Sequence, residues 1–403
     1  MLLLKHTTIQ EALQNHEIIM QKTIFPSEEI YINGGDYNFY LKDIFGNHHK
    51  AFRPYRHKTQ EFNVYMLPNA YCFSNQEIIL TQSKKFLIEQ TSCKTHPLFY
   101  QSLKAQKVKN QRGGGARVFI NNLFPLYKNI KTRFKLLFAK NIHTNIALLT
   151  RPDIENCYGH LIADVAFNLY QIQQFEILTN IKIDYYILPN SKSFQKELIK
   201  IFNIPTYKII SSSSSLTLRA KNIIIPTLTK DYEFIEYRGY LHYRTNAFHS
   251  AITKIFDSFK PKNVKPHKKI FLKRPENSNR LIENNHEVEE IFKSFGYEIV
   301  FPDILNFKQI IELFSQAICI ASLHGSGLDN ILFANDEIYV FEIFSQYYFD
   351  NSPQLKALLK HCRYSYLVGE TPDTSMHPQK ENVYINPQAL KTALKILETH
   401  LST

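Results

Sequence analysis

Residues 318–333 read ICIASLHGSGLDNILF, an apolar run, a short polar turn with two glycines, and a second apolar period. The pattern predicts a strand over ICIASL and a helix from about Gly327. A strand that passes through a short glycine turn into a helix is typical of a parallel α/β unit. The stretch therefore predicts an α/β fold, with a loop at the carboxyl end of one of its strands.

The turn itself, His324-Gly325-Ser326-Gly327, has the features of an anion site. Its glycines let a ligand approach the backbone, and the amides of Ser326, Gly327 and Leu328 would point at that ligand. Free N–H groups and the helix dipole make a helix N-terminus favourable for anions. His324 could donate a hydrogen bond to a phosphate or sugar oxygen. The alternative is a tight turn with a packing histidine, and these residues alone do not decide between the two.

Strands and helices of similar length alternate through most of the chain after residue 140. This alternation predicts parallel sheets with crossover helices, in two Rossmann-like domains that face each other across a central cleft. A lysine-rich segment, KPKNVKPHKK (260–269), separates the two series. Residues 231–256, before it, are predicted to be mainly helical. The predicted segments are a β-containing N-terminal region of uncertain role (1–140), a first Rossmann-like domain (141–260), a second Rossmann-like domain (268–385) and a closing helix (386–403).

Composition narrows the class of protein. The chain has 403 residues, 44 % of them apolar and 21 % charged, which suffices for real cores and argues against disorder. The net charge of +12 attracts anions, but the basic residues are spread along the chain, and no zinc-finger or ribonucleoprotein motif occurs, so nucleic acid is not expected as a partner. The five cysteines lack metal-ligand spacing, so reduced thiols and no metal site are expected.

No signal peptide is expected at the N-terminus, and no stretch of about 18 apolar residues predicts a transmembrane helix. We therefore expect a cytoplasmic protein, and peripheral association with the inner face of the cytoplasmic membrane is left open. A second glycine-rich segment, KAQKVKNQRGGGARVF (104–119), would suit a phosphate cradle. It lacks the lysine and hydroxyl residue of a P-loop, so a basic loop is favoured.

Two arginines and a glutamate lie near the carboxyl ends of predicted strands in the second series. Arg274 and Arg280, in KRPENSNR (273–280), are expected on the same rim as His324, and arginine is the natural bidentate partner of phosphate. Glu342 sits inside the apolar strand YVFEIF, where a lone buried carboxylate would be costly. It would hold a ribose hydroxyl or form an ion pair with an arginine.

Three stretches together resemble glycosyltransferase family 61, whose bacterial members are often labelled capsular polysaccharide biosynthesis proteins. The resemblance spans about residues 145–345, with the motifs in the family's order. The stretches are NCYGHLIADVAFNLY (156–170), KRPENSNRLIENNHEVEEIFKSFGYEIV (273–300) and HGSGLDNILF (324–333) with VFEIF (340–344).

The resemblance implies a GT-B fold, with 141–260 as the acceptor-side domain and 268–385 as the nucleotide-sugar-binding domain. The implied donor is a nucleotide sugar, with a UDP-sugar as first choice, and the implied acceptor is an oligosaccharide or a lipid-linked glycan. The implied reaction is inverting transfer without an essential metal or other cofactor. By position it assigns the diphosphate to Arg274, Arg280 and the loop from His324 to Gly327, with Asn330 in the same motif and Glu342 facing the nucleotide. The chain departs from the family pattern at two positions. Asp329 stands where threonine is usual, and Asn285 stands where glutamate is usual.

An inverting transfer needs a base for the acceptor hydroxyl, and His160 and Asp164 are the candidates. They lie four residues apart on a predicted helix and so share one face. Either could be the base, or Asp164 could orient His160. Two other functions fit less well, namely a nucleotide-sugar epimerase of the same architecture and a non-catalytic binder of anionic glycan.

Overall fold

The structure, a computed structural model, describes most but not all of the chain. The described residues are 5–32, 42–47, 52, 55–73, 78–87, 134–149, 157–212, 216–228, 232–237, 240–245, 248–276, 278–376 and 378–402. The glycine-rich segment 104–119 lies outside them.

Strands outnumber helices in this part of the chain. The strands are β1 (His6–Thr7), β2 (Met20–Phe25), β3 (Glu29–Ile32), β4 (Tyr55–Lys58), β5 (Phe62–Pro68), β6 (Tyr71–Phe73), β7 (Ile78–Leu80), β8 (Phe86–Leu87), β9 (Lys140–Leu148), β10 (Tyr185–Leu188), β11 (Ile209–Ser211), β12 (Thr217–Pro226), β13 (Tyr232–Tyr237), β14 (Tyr240–Thr245), β15 (Lys268–Leu272), β16 (Tyr297–Val300), β17 (Ala317–Leu323), β18 (Tyr339–Phe344) and β19 (Arg363–Val368). The α-helices are α1 (Ile9–Gln14), α2 (Tyr158–His160), α3 (Ala166–Thr179), α4 (Ser193–Ile201), α5 (Asn285–Ser294), α6 (Phe307–Ser315), α7 (Ser352–Leu359) and α8 (Pro387–Leu401).

Two further helical segments matter for function. A π-helix, Leu161–Val165, joins α2 to α3. A 3₁₀-helix, Ser326–Phe333, follows the glycine turn after β17, so the predicted helix is present there in its tighter form. Outside residues 231–256, the predicted alternation of strands and helices is confirmed from β9 onward, and the protein is of mixed α/β class with parallel strands.

The chain forms two compact units, each made of two stretches of sequence. The first unit comprises residues 1–26 and 61–228, and the second comprises residues 27–60 and 229–403. This division differs from the predicted segments. The first unit contains strands from the N-terminal region, up to residue 87, and these belong to the same sheet as the strands β9 to β12. Residues 27–60 and 229–260 instead belong to the second unit.

The first unit is built on one large mixed sheet. Strand β9 lies between β12 and β10 and is parallel to both, and β11 continues the parallel part beyond β10. On the other side, β12 pairs antiparallel with β5 and β6. The strands from the N-terminal region therefore extend the same sheet that carries the parallel strands.

The second unit contains a five-stranded parallel sheet in the order β16-β15-β17-β18-β19. Helix α6 shows why its helices form where they do. Asn306 and Gln309 cap it reciprocally, and its buried residues Phe307, Ile310 and Phe314 recur at helical spacing. Gly296, with φ of +79°, follows α5 in the left-handed conformation that commonly ends a helix.

Residues 231–256 correct the prediction of a mainly helical segment. They contain the antiparallel hairpin of β13 and β14, followed by a short 3₁₀-helix at Ser250–Lys254. Short apolar runs fit both helical and strand periodicity, and this segment forms strands.

None of the described helices combines the length and apolar character needed to cross a membrane.

Candidate functional site

The parallel sheet of the second unit has a topological switch point. From β15 the chain passes to β16 on one side and then to β17 on the other, so the loops after β15 and β17 leave in opposite directions. In open α/β sheets a ligand crevice forms at that point, outside the carboxyl ends of the strands. Arg274 comes two residues after β15, and His324 follows β17 directly. The sequence prediction that these two residues share a rim is confirmed.

Arg274 ties the loops of the switch point together. Its Nη1 donates to the carbonyl oxygen of His324 at 3.2 Å and to that of Arg280 at 3.3 Å. The backbone of Gly325 runs close to the same guanidinium, since a Cβ at this position would lie 3.3 Å from its Cζ and Nη2. Burial, with the adjacent charge of Arg280, lowers the pKa of Arg274 to about 10, so it stays cationic at neutral pH.

Arg280 has hydrogen-bond donors that no described residue uses. Its Nε and Nη1 are buried and have no hydrogen-bond partner within the described residues. Its guanidinium lies over the ring of Tyr348, with Cζ 4.6 Å from the ring centroid, and its backbone is left-handed with φ of 59°. Burial lowers the pKa of Arg280 as well, because a buried cation is disfavoured. Two buried guanidiniums side by side favour binding of an anion.

The glycine turn offers fewer amides than the sequence predicts. The N–H of Leu328 donates to the carbonyl of Gly325 at 3.0 Å and closes the turn, so it is not available to a ligand. The N–H groups of Ser326 and Gly327 donate to no acceptor among the residues that the structure describes. Asn330 lies deeper, buried inside the 3₁₀-helix. Two amides rather than three therefore remain for an anion.

Within the described ranges, Glu342 pairs with His324 and not with an arginine. Its side chain is 0 % exposed, its Oε1 lies 2.5 Å from Nδ1 of His324, and its Oε2 accepts a hydrogen bond of 2.6 Å from the hydroxyl of Tyr364. Of the two expected partners, the arginine is replaced by His324 among the described residues, and the ribose hydroxyl stays a prediction. Every residue of β18 is buried, so the Glu342 side chain lies in the interior of the second unit, in contact with His324 and Tyr364.

The two departures from the family pattern have local partners. The carboxylate of Asp329 is paired with Nζ of Lys356, which is 1 % exposed and also donates to Oγ of Ser352 at 2.6 Å. The negative charge beside the loop is thereby neutralised. Asn285 donates to Glu289, which also pairs with Lys273 at 2.9 Å.

A cavity of about 190 Å³ opens beside the loop that follows β15 and carries Arg274. Its lining includes Leu272, Lys273, Arg274, Glu276 and Asn285. The cavity therefore adjoins the carboxyl end of β15, the position where the switch point predicts a ligand. No three side chains of His, Cys, Asp or Glu come together as a metal site in the described ranges.

The first unit holds the second candidate centre. Nδ1 of His160 lies 2.8 Å from Oδ2 of Asp164, so the prediction that the two share a face is confirmed. Asp164 is buried, whereas a third of the His160 side chain is exposed. The pair spans the junction of α2 and the π-helix, a type of helix insertion that is common at functional sites. With Nδ1 held by the carboxylate, Nε2 is the ring atom left to accept a proton.

Residues 158–341, a little under half of the chain, match the family model described as Glycosyltransferase 61. This part of the chain is similar to the proteins of glycosyltransferase family 61. The resemblance seen in the sequence is confirmed, and the protein is a glycosyltransferase, with a sugar donor and an acceptor as its partners. No curated protein matches the chain.

The family 61 match covers both candidate centres. It begins two residues before His160 and ends at Phe341, so Glu342 follows it directly and every other predicted site residue lies inside. Sequence reasoning missed Tyr348, Tyr364 and Lys356, which contact Arg280, Glu342 and Asp329. Only Lys356 had a signal, since the aspartate at 329 required a nearby cation.

Proposed function

We propose that the chain is an inverting glycosyltransferase that moves a sugar from a UDP-sugar to a hydroxyl of a growing surface glycan of capsule or lipopolysaccharide type, without a metal ion. The observation that carries the proposal is Arg280, whose buried Nε and Nη1 have no partner in the part of the chain that the structure describes. Buried donors without partners are costly, and a bidentate anion such as a phosphate would satisfy both.

The diphosphate of the donor would bind at the switch point of the second unit. Arg280 would donate through Nε and Nη1, Arg274 would supply a second positive charge, and the N–H groups of Ser326 and Gly327 would donate from the glycine turn. His324 would contact the same anion from beneath. The cavity beside Arg274 would take a further part of the nucleotide.

These groups would act most strongly as the bond to the leaving group breaks. Negative charge then grows on the diphosphate oxygens, and fixed donors in a partly buried site stabilise it without reorganising. The two arginines would thus take the role that a metal ion plays in other transferases.

His160 would act as the general base. An acceptor hydroxyl oxygen attacks the anomeric carbon, the bond from that carbon to the diphosphate oxygen breaks, and the hydroxyl proton passes to Nε2 of His160. Asp164 would hold Nδ1 and stabilise the imidazolium that results. A single displacement of this kind inverts the anomeric configuration.

The proposal includes two features that lie outside the candidate site. One is the GT-B architecture, and the other is a cytoplasmic location at the inner face of the membrane, where a lipid-linked acceptor would be available. Neither is needed for the binding test that follows.

Thermal stabilisation by UDP, GDP, CMP and ADP tests the proposal. At 100 times its dissociation constant a nucleotide adds about 2.7 kcal/mol to the free energy of unfolding. We expect UDP to raise the Tm with and without EDTA, and Arg280→Ala to abolish the rise. Arg363→Ala, at the amino end of β19 in the same sheet, is the matched control and should keep it.

The outcomes separate the candidate functions. If no nucleotide raises the Tm, the chain is not a nucleotide-sugar enzyme, and binding of anionic glycan becomes the function to examine. If UDP binds but a UDP-sugar is converted in the absence of any acceptor, the chain is an epimerase. A rise that EDTA removes would contradict metal independence.

A further inference from the structure

Three polar side chains form a buried line beneath the glycine turn. The hydroxyl of Tyr364 donates to Oε2 of Glu342 at 2.6 Å, and Oε1 of Glu342 lies 2.5 Å from Nδ1 of His324. All three side chains are buried. The ring of His324 stacks on Phe344 with centroids 5.0 Å apart, so its plane is fixed as well as its Nδ1 contact.

Nε2 of His324 is the open end of this line. It has no hydrogen-bond partner among the described residues, whereas Nδ1 is occupied. A neutral imidazole carries one proton, and the partner of one nitrogen decides whether the other is a donor or an acceptor. Only a donor at Nε2 suits an anionic ligand, because a lone pair would face the negative oxygens of the diphosphate.

The charges around the pair favour the neutral form of both groups. Burial, with the positive charges of Arg280, Arg274 and Lys356, holds the pKa of His324 well below its usual range. Burial and the negative charge of Asp350 raise the pKa of Glu342, against the hydrogen bond from Tyr364 and the cations Lys356 and Arg280. A neutral carboxyl group can donate a hydrogen bond to Nδ1, and the single proton of a neutral His324 ring is then carried by Nε2.

We propose that Glu342 is a positioning residue, which donates a hydrogen bond from its protonated carboxyl group to Nδ1 of His324 and so keeps an uncharged Nε2–H aimed at the donor diphosphate. The inference rests on the proposed function for the identity of the ligand. It adds that His324 acts without a charge of its own, as a fixed dipole beside two arginines. A cationic histidine would have to bear the repulsion of both.

The tautomer of His324 can be measured directly and without ligand. In the full chain labelled with ¹⁵N-histidine, the signals of His324 are those absent from His324→Asn. We expect a protonated Nε2 and an unprotonated Nδ1 from pH 6 to pH 8. A proton on Nδ1 alone, or on both nitrogens at pH 7, would overturn the proposal, because Glu342 would then be an ionised acceptor.

Two substitutions at position 342 separate positioning from packing. In Glu342→Gln the amide can donate to Nδ1 while its oxygen accepts from Tyr364, so we expect the same tautomer and a UDP dissociation constant within about threefold of the parent. Glu342→Leu removes the donor, and we expect a mixed tautomer and about tenfold weaker binding. Tyr339→Phe is the control, since it removes a buried hydroxyl that bonds Ser365 in the same sheet.

A second measurement does not depend on the leucine variant folding. A group whose pKa is raised by folding stabilises the native state below its unfolded pKa, and this stabilisation is lost as the pH rises through the folded pKa. Glutamine does not titrate, and His324 is the same in both proteins. The Tm of Glu342→Gln minus that of the parent should therefore increase steadily from pH 5 to pH 8. A difference that is independent of pH would contradict a protonated Glu342.

Failure of this inference and failure of the proposed function are distinguishable. The NMR and pH measurements use the free protein, so they decide the protonation of Glu342 and His324 whether or not UDP binds. If UDP does not bind the parent chain, the proposed function falls. If UDP binds but the tautomer is wrong, only the positioning role falls.

Discussion

Gly325 is the residue that leaves least room for change in the candidate site. Its φ of 165° is extended backbone, which any residue adopts, so glycine is not required there for conformation. It is required for space, because the guanidinium of Arg274 packs against it. The missing side chain at Gly325 therefore makes room for the guanidinium of Arg274.

Gly325→Ala should weaken nucleotide binding through Arg274. The added Cβ would lie 3.3 Å from Cζ and Nη2 of Arg274, so the guanidinium must shift by a few tenths of an ångström. We expect UDP to bind about tenfold more weakly, which corresponds to about 1.4 kcal/mol, with little change in Tm. Isothermal titration calorimetry measures the loss.

Gly327→Ala provides the comparison for that experiment. Its Cβ would meet Cδ1 of Leu272 at 3.8 Å, an ordinary contact, so Arg274 need not move. The loss of affinity should be smaller than in Gly325→Ala. Equal losses in the two variants would mean that the turn responds to any added methyl group and not to displacement of the arginine.

Single residues also show where sequence reasoning ends. The sequence indicated that a carboxylate in the apolar strand YVFEIF needs a partner, and that Asp329 stands where threonine is usual in the family. It could not name Tyr364 or Lys356, because these come from β19 and α7, more than twenty residues further on. Their proximity follows from the order of the strands, which spacing along the chain does not encode.

Among the secondary-structure elements, the π-helix Leu161–Val165 is the one that the sequence did not predict. The sequence predicted one continuous helix over the stretch that the structure divides into α2, the π-helix and α3. The contact between His160 and Asp164 survives that change, because residues four apart are neighbours in either type of helix. The strands and helices of β15 to α6 were predicted well, since each is a short apolar run bounded by proline, glycine or polar residues.

Asp164→Asn should impair turnover more than binding. An asparagine cannot stabilise the imidazolium that His160 becomes, and it permits the other tautomer. General-base catalysis contributes about 10² to 10⁴ in rate, so we expect kcat to fall at least a hundredfold while the KM for the donor changes little.

Asn168→Ala is a suitable control for Asp164→Asn. Asn168 is another buried polar residue, one turn further along at the beginning of α3, and it is not part of the candidate centre. Transfer assays with saturating donor would separate the two variants. If Asp164→Asn keeps normal turnover, the pair with His160 is structural, and a different base must be sought.

At the scale of the whole molecule, each unit has a core of its own. In the first unit, buried residues such as Ile146, Ile187 and Ile223 belong to a core that also includes helix α1, and in the second Phe271 stacks on Phe292 with ring centroids 4.0 Å apart. The division into two units was not readable from composition, because each unit combines two separate stretches of sequence. The lysine-rich segment 260–269, the best linker in the sequence, lies inside the second unit.

Two cores predict that unfolding of the full chain is not two-state. Arg274, Arg280 and His324 all belong to the second unit, so UDP should raise one calorimetric transition and leave the other in place. Phe292→Ala and Phe175→Ala, which empty buried positions in the second and first units, should each lower one transition, since such changes cost about 3–5 kcal/mol. We expect UDP to raise the transition that Phe292→Ala lowers. A single transition that shifts as a whole, or a UDP effect on the transition lowered by Phe175→Ala, would contradict the assignment of the nucleotide to the second unit.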